Sequence, residues 1–388
     1  MSKKIAFIAT GYIKSYDGVS VYTENLLKEL LESSFVKSSK CTIDLYIGQS
    51  VHSILIERLN LEKDYDQFIN VISVPDDNFF TKIFSLYRKL SFREDYDLIF
   101  ATNFMPFNLP FSKVIKVIHD FSPEITPSLY STFFKLYHSF LLKSAKKFDN
   151  AIGYISETTK RDLKRFYDVD ELNKKLIYLP NGIPFKVKNF DRPSDEILDK
   201  YSTNNIDFLV VGRINRAKGF DRILKFCKHF DHFLDNTKRF KKVTLHIAGK
   251  QTDETKKIFE DLKLLNIKII FHGFVNDETL NKLYSNSNFC FFLSRNEGYG
   301  LPLVEALWFK TIPILSNIDI FNEILGEKYP KFDDFSDYEN EIEKFILKIY
   351  SDQKYLLHIH SELENVVKWE IDGYKRSAQN LIEFISSN

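Results

Sequence analysis

Residues 294–307 of this chain read SRNEGYGLPLVEAL. The apolar run 289–293 comes directly before them, and an apolar helical segment begins at their end. Two carboxylates, Glu297 and Glu305, have seven residues between them. That interval holds residues that suit a tight loop and the first turn of a helix: Gly298, Gly300 and Pro302. The stretch therefore predicts a strand, a ligand-binding turn and a helix, the unit from which α/β folds are built.

The predicted start of this helix is a candidate anion site. Free amides and the positive end of the helix dipole meet at Gly300 and Leu301, which favours a phosphate group there. Glu305 is expected one turn further on, on the face that looks back toward the loop. The alternative interpretation is a strand-to-helix turn that carries two solvated carboxylates.

Outward from this stretch, short apolar runs alternate with amphipathic segments, as in parallel sheets wrapped by helices. The predicted strands of the first half are 5–10, 42–47, 68–74, 98–102, 114–119 and 151–156. Those of the second half are 208–212, 243–248, 267–271, 289–293 and 312–315. Residues 182–205, with two prolines and little apolar periodicity, are predicted as a linker, and 371–385 as a closing helix.

The composition fits a folded enzyme, and the length predicts two domains. The chain has 388 residues, which is more than a single hydrophobic core usually holds. Of these residues 44% are hydrophobic and 28% are charged, as in folded proteins. A net charge of +1 gives no general attraction to nucleic acid. Three scattered cysteines suggest no disulfide framework, and the apolar run 5–9 is too short for a signal peptide. No run reaches the roughly 20 apolar residues of a membrane span, so a cytosolic or peripheral membrane protein is expected.

Cations follow the first strand of the second half. Residues 208–219 read FLVVGRINRAKG, and Gly212, Arg213 and Lys218 lie in the predicted loop. Two cations at the end of a parallel strand can neutralise a departing diphosphate. The alternative is a pair of ordinary surface cations.

The first half offers two further candidate segments. Residues 11–22, GYIKSYDGVSVY, predict a loop before a helix, with anion binding by Gly18 and the amides of Val19 and Ser20. Residues 117–127, VIHDFSPEITP, place His119 and Asp120 at the end of a buried strand. We expect His119 in an active site, with Asp120 orienting its ring or reaching an acceptor.

Together these motifs resemble the GT-B nucleotide-sugar transferases, especially glycosyltransferase family four, over nearly the whole chain. The resemblance implies two Rossmann-like domains with parallel sheets facing across a cleft: 1–185 for the acceptor, 186–370 for the donor, and 371–388 packing back on the first. It implies that Glu297 contacts the donor sugar and Glu305 the ribose. Residues 270–280, IFHGFVNDETL, are similar to the strand and loop beside the base, with Gly273 and Phe274 shaping the pocket.

The resemblance also implies the chemistry. Members of the family retain anomeric configuration and need no metal, and no cofactor is predicted. The candidate catalytic residues are His119, Asp120, Arg213, Lys218 and Glu297. The candidate donor-binding residues are Gly18, Gly212, Arg213, Lys218, Gly273, Phe274, Glu297, Gly298, Tyr299, Gly300, Leu301 and Glu305.

The pairing of histidine with aspartate is similar to the branch that contains mannosyltransferases of bacterial surface polysaccharides. GDP-mannose is therefore the first expected donor and a UDP-sugar the second, with a glycan or lipid-linked glycan as acceptor. Two departures stand out: only Gly18 matches the family's paired glycines, and Lys310 replaces a glycine. A nucleotide-sugar-binding protein without transferase activity and a sugar-nucleotide epimerase remain alternatives.

Two basic, aromatic segments, 79–93 and 129–148, contain no acidic residue. Such helices can lie on anionic membrane surfaces, although ordinary helices that pack phenylalanine and leucine inward have the same composition. The histidine pairs His229 with His232 and His358 with His360 have no ligand cluster around them, so solvated side chains are expected.

Overall fold

A computed structural model of the chain describes residues 3–13, 17–59, 67–91, 96–103, 113–148, 151–167, 175–193, 197–252, 256–263, 265–333 and 337–387. The chain divides into two compact units. The first consists of Met1–Gly182 and Asp372–Asn388, and the second of Ile183–Ile371.

The described part of the first unit is built on a parallel sheet in the order β3-β2-β1-β4-β5-β6-β7. Its strands are β1 (Lys3–Ile8), β2 (Cys41–Gly48), β3 (Ile69–Val74), β4 (Leu98–Ala101), β5 (Val114–Ile118), β6 (Ala151–Tyr154) and β7 (Lys175–Tyr178). Its helices are α1 (Gly18–Glu32), α2 (His52–Leu59), α3 (Phe79–Ser91), α4 (Ser122–Ile125), α5 (Thr132–Phe148) and α6 (Glu157–Tyr167).

The described part of the second unit repeats this plan, in the order β10-β9-β8-β11-β12-β13. Its strands are β8 (Asn205–Val211), β9 (Lys242–Ala248), β10 (Lys268–Gly273), β11 (Phe289–Phe292), β12 (Ile312–Ser316) and β13 (Lys331–Phe332). Its helices are α7 (Phe185–Lys188), α8 (Ile197–Ser202), α9 (Phe220–Thr237), α10 (Lys256–Leu262), α11 (Asp277–Asn286), α12 (Leu301–Trp308), α13 (Asp319–Leu325), α14 (Tyr338–Ser351) and α15 (Gln353–Glu370).

Both sheets have helices on their faces, and their middle strands β4 and β11 are apolar along their whole length. In β11 every residue is buried, and Phe289 pairs with Phe208 of β8 and Ile312 of β12. Phenylalanine rings fill the space below the helices, as where Phe208 lies 5.9 Å from Phe226 between ring centroids. The predicted α/β class with two Rossmann-like domains is confirmed.

The prediction of an interdomain linker at residues 182–205 is wrong for most of this segment. Residues 183–193 and 197–205 belong to the second unit and carry α7 and α8. Arg192 shows why a segment poor in apolar residues is ordered: its guanidinium donates to both carboxylate oxygens of Glu364, at 2.9 and 2.8 Å. Polar anchors of this kind leave no hydrophobic periodicity in the sequence.

The last helix, α16 (Gly373–Ser386), lies in the first unit against α1. Ser377 Oγ donates to the carbonyl of Pro180 at 2.5 Å, and Asn380 Nδ2 donates to the carbonyl of Tyr178 at 2.7 Å. Within the described residues, no helix is both long and apolar enough to cross a membrane.

Candidate functional site

The second sheet changes direction between β8 and β11. The chain continues from β8 to β9 on one side, whereas β11 and β12 lie on the other. In open parallel sheets, ligands bind outside the carboxyl ends of the strands at such a switch point. The loops that leave β8 and β11 there are 212–219 and 293–300, and they carry most of the predicted donor-binding residues.

These loops bring Lys218 and Glu297 together across 79 residues of sequence. Lys218 Nζ lies 2.6 Å from Glu297 Oε1, and Ser294 Oγ donates to the same oxygen at 2.7 Å. The ammonium group has three donors, so this pair leaves it able to contact a phosphate oxygen. Sequence analysis did not identify Ser294, because a serine after a strand has no distinctive signal.

A close backbone approach fixes the distance between the loops. Gly219 has a φ of 74°, and a Cβ added there would lie 1.9 Å from the carbonyl oxygen of Leu293, so glycine is required. The Arg295 amide donates to the Ala217 carbonyl at 2.9 Å, and Arg222 Nη1 donates to the Leu293 carbonyl at 3.0 Å. The two loops are therefore held at a fixed distance from each other by the protein itself.

An ion pair supports the same junction. Arg295 donates to both carboxylate oxygens of Asp221, at 2.9 and 2.7 Å. Partial burial of Asp221 opposes its ionisation, but the Arg295 guanidinium outweighs this effect and lowers the pKa of the carboxyl. Neither residue was predicted, since single charges beside a motif are common on any surface.

Arg213, in contrast, is exposed, and no side chain in the described part of the protein pairs with it. It follows Gly212, where the chain turns out of β8 with a φ of 116° and the backbone amide donates a hydrogen bond to the Ala248 carbonyl at 2.9 Å. Arg213 and Lys218 thus lie on one loop, and Arg213 is available to an anionic ligand.

Glu305 has a more enclosed environment than the sequence suggested. It is 4% exposed. Its Oε1 lies 3.1 Å from Lys186 Nζ, and its Oε2 accepts from the Tyr284 hydroxyl at 3.1 Å. Lys186 also lies 3.5 Å from Asp277 Oδ1. Burial alone lowers the pKa of Lys186, but the carboxylates of Glu305 and Asp277 outweigh it and raise that pKa.

The loop between the two glutamates forms a tight helix start. Gly300 caps α12 with a φ of 93°, and its carbonyl accepts from the Leu303 amide at 2.8 Å. The backbone amides of Gly300 and Leu301 remain the candidate hydrogen-bond donors to a bound anion. The predicted donor residue Tyr299 is buried, and its hydroxyl donates to the Glu370 carboxylate, so its side chain anchors the loop.

At the end of β10, Gly273 has a φ of 66° and its carbonyl accepts from the Gly249 amide at 2.8 Å. The ring of Phe274 is 74% exposed. A base pocket shaped by these two residues remains a prediction.

His119, in the first unit, follows β5. Its Nε2 lies 2.7 Å from the Thr102 carbonyl oxygen, which can only accept, so this nitrogen carries the hydrogen. The Tyr22 ring meets the imidazole edge-on at 5.0 Å between centroids. Burial lowers the pKa of His119 more than the Thr102 bond and the charges of Asp120 and Asp17 raise it. The ring is therefore neutral near pH 7, with Nδ1 as its other polar atom.

Two segments predicted in the first unit have hydrogen-bond partners within the protein. Asp120 Oδ1 accepts from the Ser122 amide at 3.0 Å, and the His119 ring is held by the Thr102 carbonyl, so contact of Asp120 with an acceptor stays a prediction. The predicted anion site at Gly18 is partly occupied by the protein, because Asp17 Oδ1 accepts from the Ser20 amide at 3.0 Å. A carboxylate cap also opposes a second anion at that helix start.

The described residues contain no group of three or more histidine, cysteine, aspartate or glutamate side chains placed to hold a metal ion. The three cysteines, Cys41, Cys227 and Cys290, are buried and free. Burial, with a smaller effect from the Asp231 charge, raises the pKa of the Cys227 thiol to about 12. The thiol is therefore protonated at neutral pH.

Comparison with known proteins indicates the class of protein to which this chain is similar. Residues 194–362 match the family of glycosyl transferases group 1. The chain is 31% identical over 181 residues to the serotype-specific mannosyltransferase WbdA of Escherichia coli, a match over 45% of this chain and 20% of WbdA. It is 29% identical over 230 residues to the O-antigen chain mannosyltransferase RfbU of Salmonella typhimurium LT2, over 58% of each chain. These matches span less than two thirds of either relative.

The solved structure of Anabaena HepE, in complex with UDP and glucose, superposes over 100% of both chains with a TM-score of 0.69 and 16% identity. The chain therefore has the GT-B fold, and residues 194–362 of its second unit are similar to the glycosyl transferases group 1 family. In sequence it resembles bacterial polysaccharide mannosyltransferases. The expected resemblance to GT-B glycosyltransferases and to bacterial polysaccharide mannosyltransferases is confirmed.

Proposed function

We propose that this protein is a glycosyltransferase that moves a hexose from a nucleotide diphosphate sugar to a glycan or lipid-linked glycan. The pairing of Lys218 with Glu297 at the switch point of the second sheet carries the proposal. It places a cation and a carboxylate side by side where a ligand is expected, within the matched domain. A diphosphate can use the cation, and sugar hydroxyls can use the carboxylate.

The proposed chemistry breaks the bond between the anomeric carbon and the diphosphate. Lys218 and Arg213 stabilise negative charge that develops on the leaving group, together with the amides of Gly300 and Leu301. These protein cations supply the neutralisation that a divalent metal provides in other transferases, which supports a metal-independent reaction. The acceptor oxygen attacks the face from which the diphosphate leaves and gives its proton to the departing phosphate, so configuration is retained.

We infer GDP-mannose as the first candidate donor, because both WbdA and RfbU are named as mannosyltransferases. A UDP-sugar is the second candidate, since the structure of HepE contains UDP and glucose. RfbU is named for O-antigen chains, which supports an acceptor in bacterial surface polysaccharide synthesis. Assembly of such acceptors on lipid carriers would place the protein at the inner face of the cell membrane.

Two other functions share this architecture. A protein that binds a nucleotide sugar without transferring it is favoured by the Asp17 cap, which occupies part of the predicted anion site of the first unit. A sugar-nucleotide epimerase would use the same donor loops. Neither alternative accounts for the similarity to mannosyltransferases as directly as transfer does.

Incubation of the full chain with a panel of GDP- and UDP-sugars and lipid-linked acceptors, followed by mass spectrometry, tests the proposal. Transfer adds one hexose to an acceptor, whereas epimerisation changes only the donor and binding changes neither. Lys218→Ala or Arg213→Ala should raise the barrier by about 2–4 kcal/mol. Lys263→Ala, at an exposed position in the same unit, is the matched control. Undiminished transfer by both site variants, or donor isomerisation alone, would refute the mechanism.

A further inference from the structure

The helix α3 of the first unit turns aromatic side chains outward. Phe80 and Phe84 are 81% and 71% exposed, and they share one face because they are four residues apart. Leu86 and Leu90, on the other side of the helix, are buried. The inward packing of phenylalanine that was the alternative expectation for this segment is therefore not what the structure shows.

The helix α5 has a similar exposed stripe. Phe133 and Leu136 are 80% and 68% exposed, and the exposed Phe140 follows one turn later on the same face. The opposite face buries Leu141, Leu142 and Ala145. Water-facing apolar residues of this size normally mark a surface that something else covers.

Ring contacts join the two stripes. Phe79 of α3 packs edge-on against Tyr137 of α5, with 5.5 Å between ring centroids. Tyr137 in turn lies parallel to Phe133, at 6.5 Å. The exposed side chains of both helices thus form one surface, here called the aromatic surface: Phe79, Phe80, Phe84, Phe133, Leu136 and Phe140.

Cations continue both stripes. The exposed Arg88 follows Phe84 by one turn, and the exposed Lys143 follows Phe140 in the same way. Neither α3 nor α5 contains an aspartate or glutamate. Lys82 is turned inward, where its Nζ donates to the Thr10 carbonyl at 2.9 Å. The aromatic surface is therefore bordered by positive charge, with no acid on either helix to balance it.

We propose that the aromatic surface docks on an anionic lipid bilayer. Aromatic side chains enter the interface between headgroups and acyl chains, while Arg88 and Lys143 contact the lipid phosphates. A second copy of the chain fits this surface less well, since two equally cationic faces repel each other. The inference rests on the proposed function for the presence of a membrane acceptor, but lipid binding itself needs neither donor nor acceptor.

Sedimentation of the full chain with vesicles tests the inference. One set contains phosphatidylcholine alone and the other equal parts of phosphatidylcholine and phosphatidylglycerol. The wild type should pellet with the anionic set, and high salt should release it. Phe84→Ser combined with Phe133→Ser should weaken partitioning at least tenfold. Arg88→Gln combined with Lys143→Gln, which leaves the packing intact, should weaken it roughly 25-fold at low salt.

Matched controls come from the second unit, where Leu357 is an exposed apolar residue and Lys263 and Lys354 are exposed cations. Leu357→Ser and the pair Lys263→Gln with Lys354→Gln should pellet like the wild type. Equal pelleting with both vesicle sets, or site variants that behave like the controls, would overturn the inference. So would a wild-type dimer in ultracentrifugation that the aromatic variants lose. Because the assay contains no sugar nucleotide, its failure would leave the proposed transferase activity standing.

Discussion

Glu297 and Glu305 belong to one motif but lie in different surroundings. Glu297 is partly accessible beside Lys218 and Ser294, whereas Glu305 is buried between Lys186 and Tyr284. Accessibility to a ligand therefore differs although the side chains are the same. The proposed roles, sugar contact for Glu297 and ribose contact for Glu305, are those that the family resemblance implies.

Calorimetry with two ligands separates these roles. Glu305→Gln should weaken the binding of both the sugar nucleotide and the free nucleoside diphosphate, because both ligands carry the ribose. Glu297→Gln should reduce transfer and sugar discrimination by about 2–3 kcal/mol while leaving nucleoside diphosphate affinity nearly unchanged. Equal losses of nucleoside diphosphate binding in the two variants would show that the assignment is wrong.

Lys186 is a residue of this site that could not be predicted from the sequence. It lies in the segment predicted as a linker, and its partner Glu305 is 119 residues further along the chain, so no local pattern connects them. Lys218 and Glu297 could be predicted because each lies in a recognisable loop after a strand. Their pairing, and the participation of Ser294 and Tyr284, depends on how the strands are ordered in the sheet.

Removal of the Lys186 ammonium should leave the buried Glu305 carboxylate without its cation. Lys186→Met is expected to lower the free energy of unfolding by about 3 kcal/mol and to weaken nucleoside diphosphate binding, whereas Lys186→Arg should retain most of both. Urea titration and calorimetry measure the two effects. Combining Lys186→Met with Glu305→Gln should recover stability but not affinity. A Lys186→Met protein as stable as the wild type would remove the ion pair from this account.

At the scale of elements, apolar runs were sufficient to predict the longer buried strands within one to three residues. The strands β7 and β13 were not predicted. β13 contains only Lys331 and Phe332, and β7 at the sheet edge has only three apolar residues after Lys175, so neither gives a run as long as those of the other strands. The aromatic face of α3 was also beyond the sequence, because composition gives the number of phenylalanines but not the side that the neighbouring elements cover.

The end of α9 offers a test of backbone strain. Lys238 caps this helix with a φ of 49°, and its amide donates to the Leu234 carbonyl at 3.0 Å. The left-handed conformation costs a residue with a Cβ roughly 1–2 kcal/mol, and glycine escapes this cost. Lys238→Gly should therefore raise the free energy of unfolding by about 1 kcal/mol in urea titration. Lys238→Ala, which keeps the Cβ, should give no such gain, and equal stability of the two variants would contradict the strain argument.

At the scale of the whole molecule, the two units share one strand order around a switch point. In each unit the candidate residues follow the central strands, His119 after β5 in the first and Lys218 and Glu297 after β8 and β11 in the second. The repeated topology explains why candidate residues far apart in sequence occupy equivalent places at the carboxyl ends of the strands. Each unit also has its own buried core, so their stabilities can be measured separately.

Both tryptophans of the chain, Trp308 and Trp369, lie in the second unit, so tryptophan fluorescence reports the unfolding of that unit. This unit also holds a buried histidine at position 360, where the sequence led us to expect a solvated side chain. His360 is 3% exposed, its ring lies 5.9 Å from that of Tyr201, and its Nε2 has no hydrogen-bond partner among the described residues. Burial, followed by the charges of Lys200 and Lys310, lowers the pKa of His360 to about 3.

The unfolded chain binds a proton at His360 below about pH 6.5, whereas the native protein does so only near pH 3. The neutral ring therefore contributes fully above the unfolded pKa, and the contribution is lost as the pH falls toward 3. Between about pH 6 and about pH 4.5, protonation of this one residue should lower the free energy of unfolding of the second unit by about 2 kcal/mol. His360→Phe, similar in shape, should lack this loss, while His358→Phe, at an exposed position of the same helix, should keep it. Urea titrations followed by tryptophan fluorescence at both pH values give the comparison, because each variant lacks one histidine of the same helix and all remaining titrating groups are common to the three proteins. If His360→Phe loses as much stability between the two pH values as His358→Phe, protonation of the buried ring is not what weakens the second unit in acid.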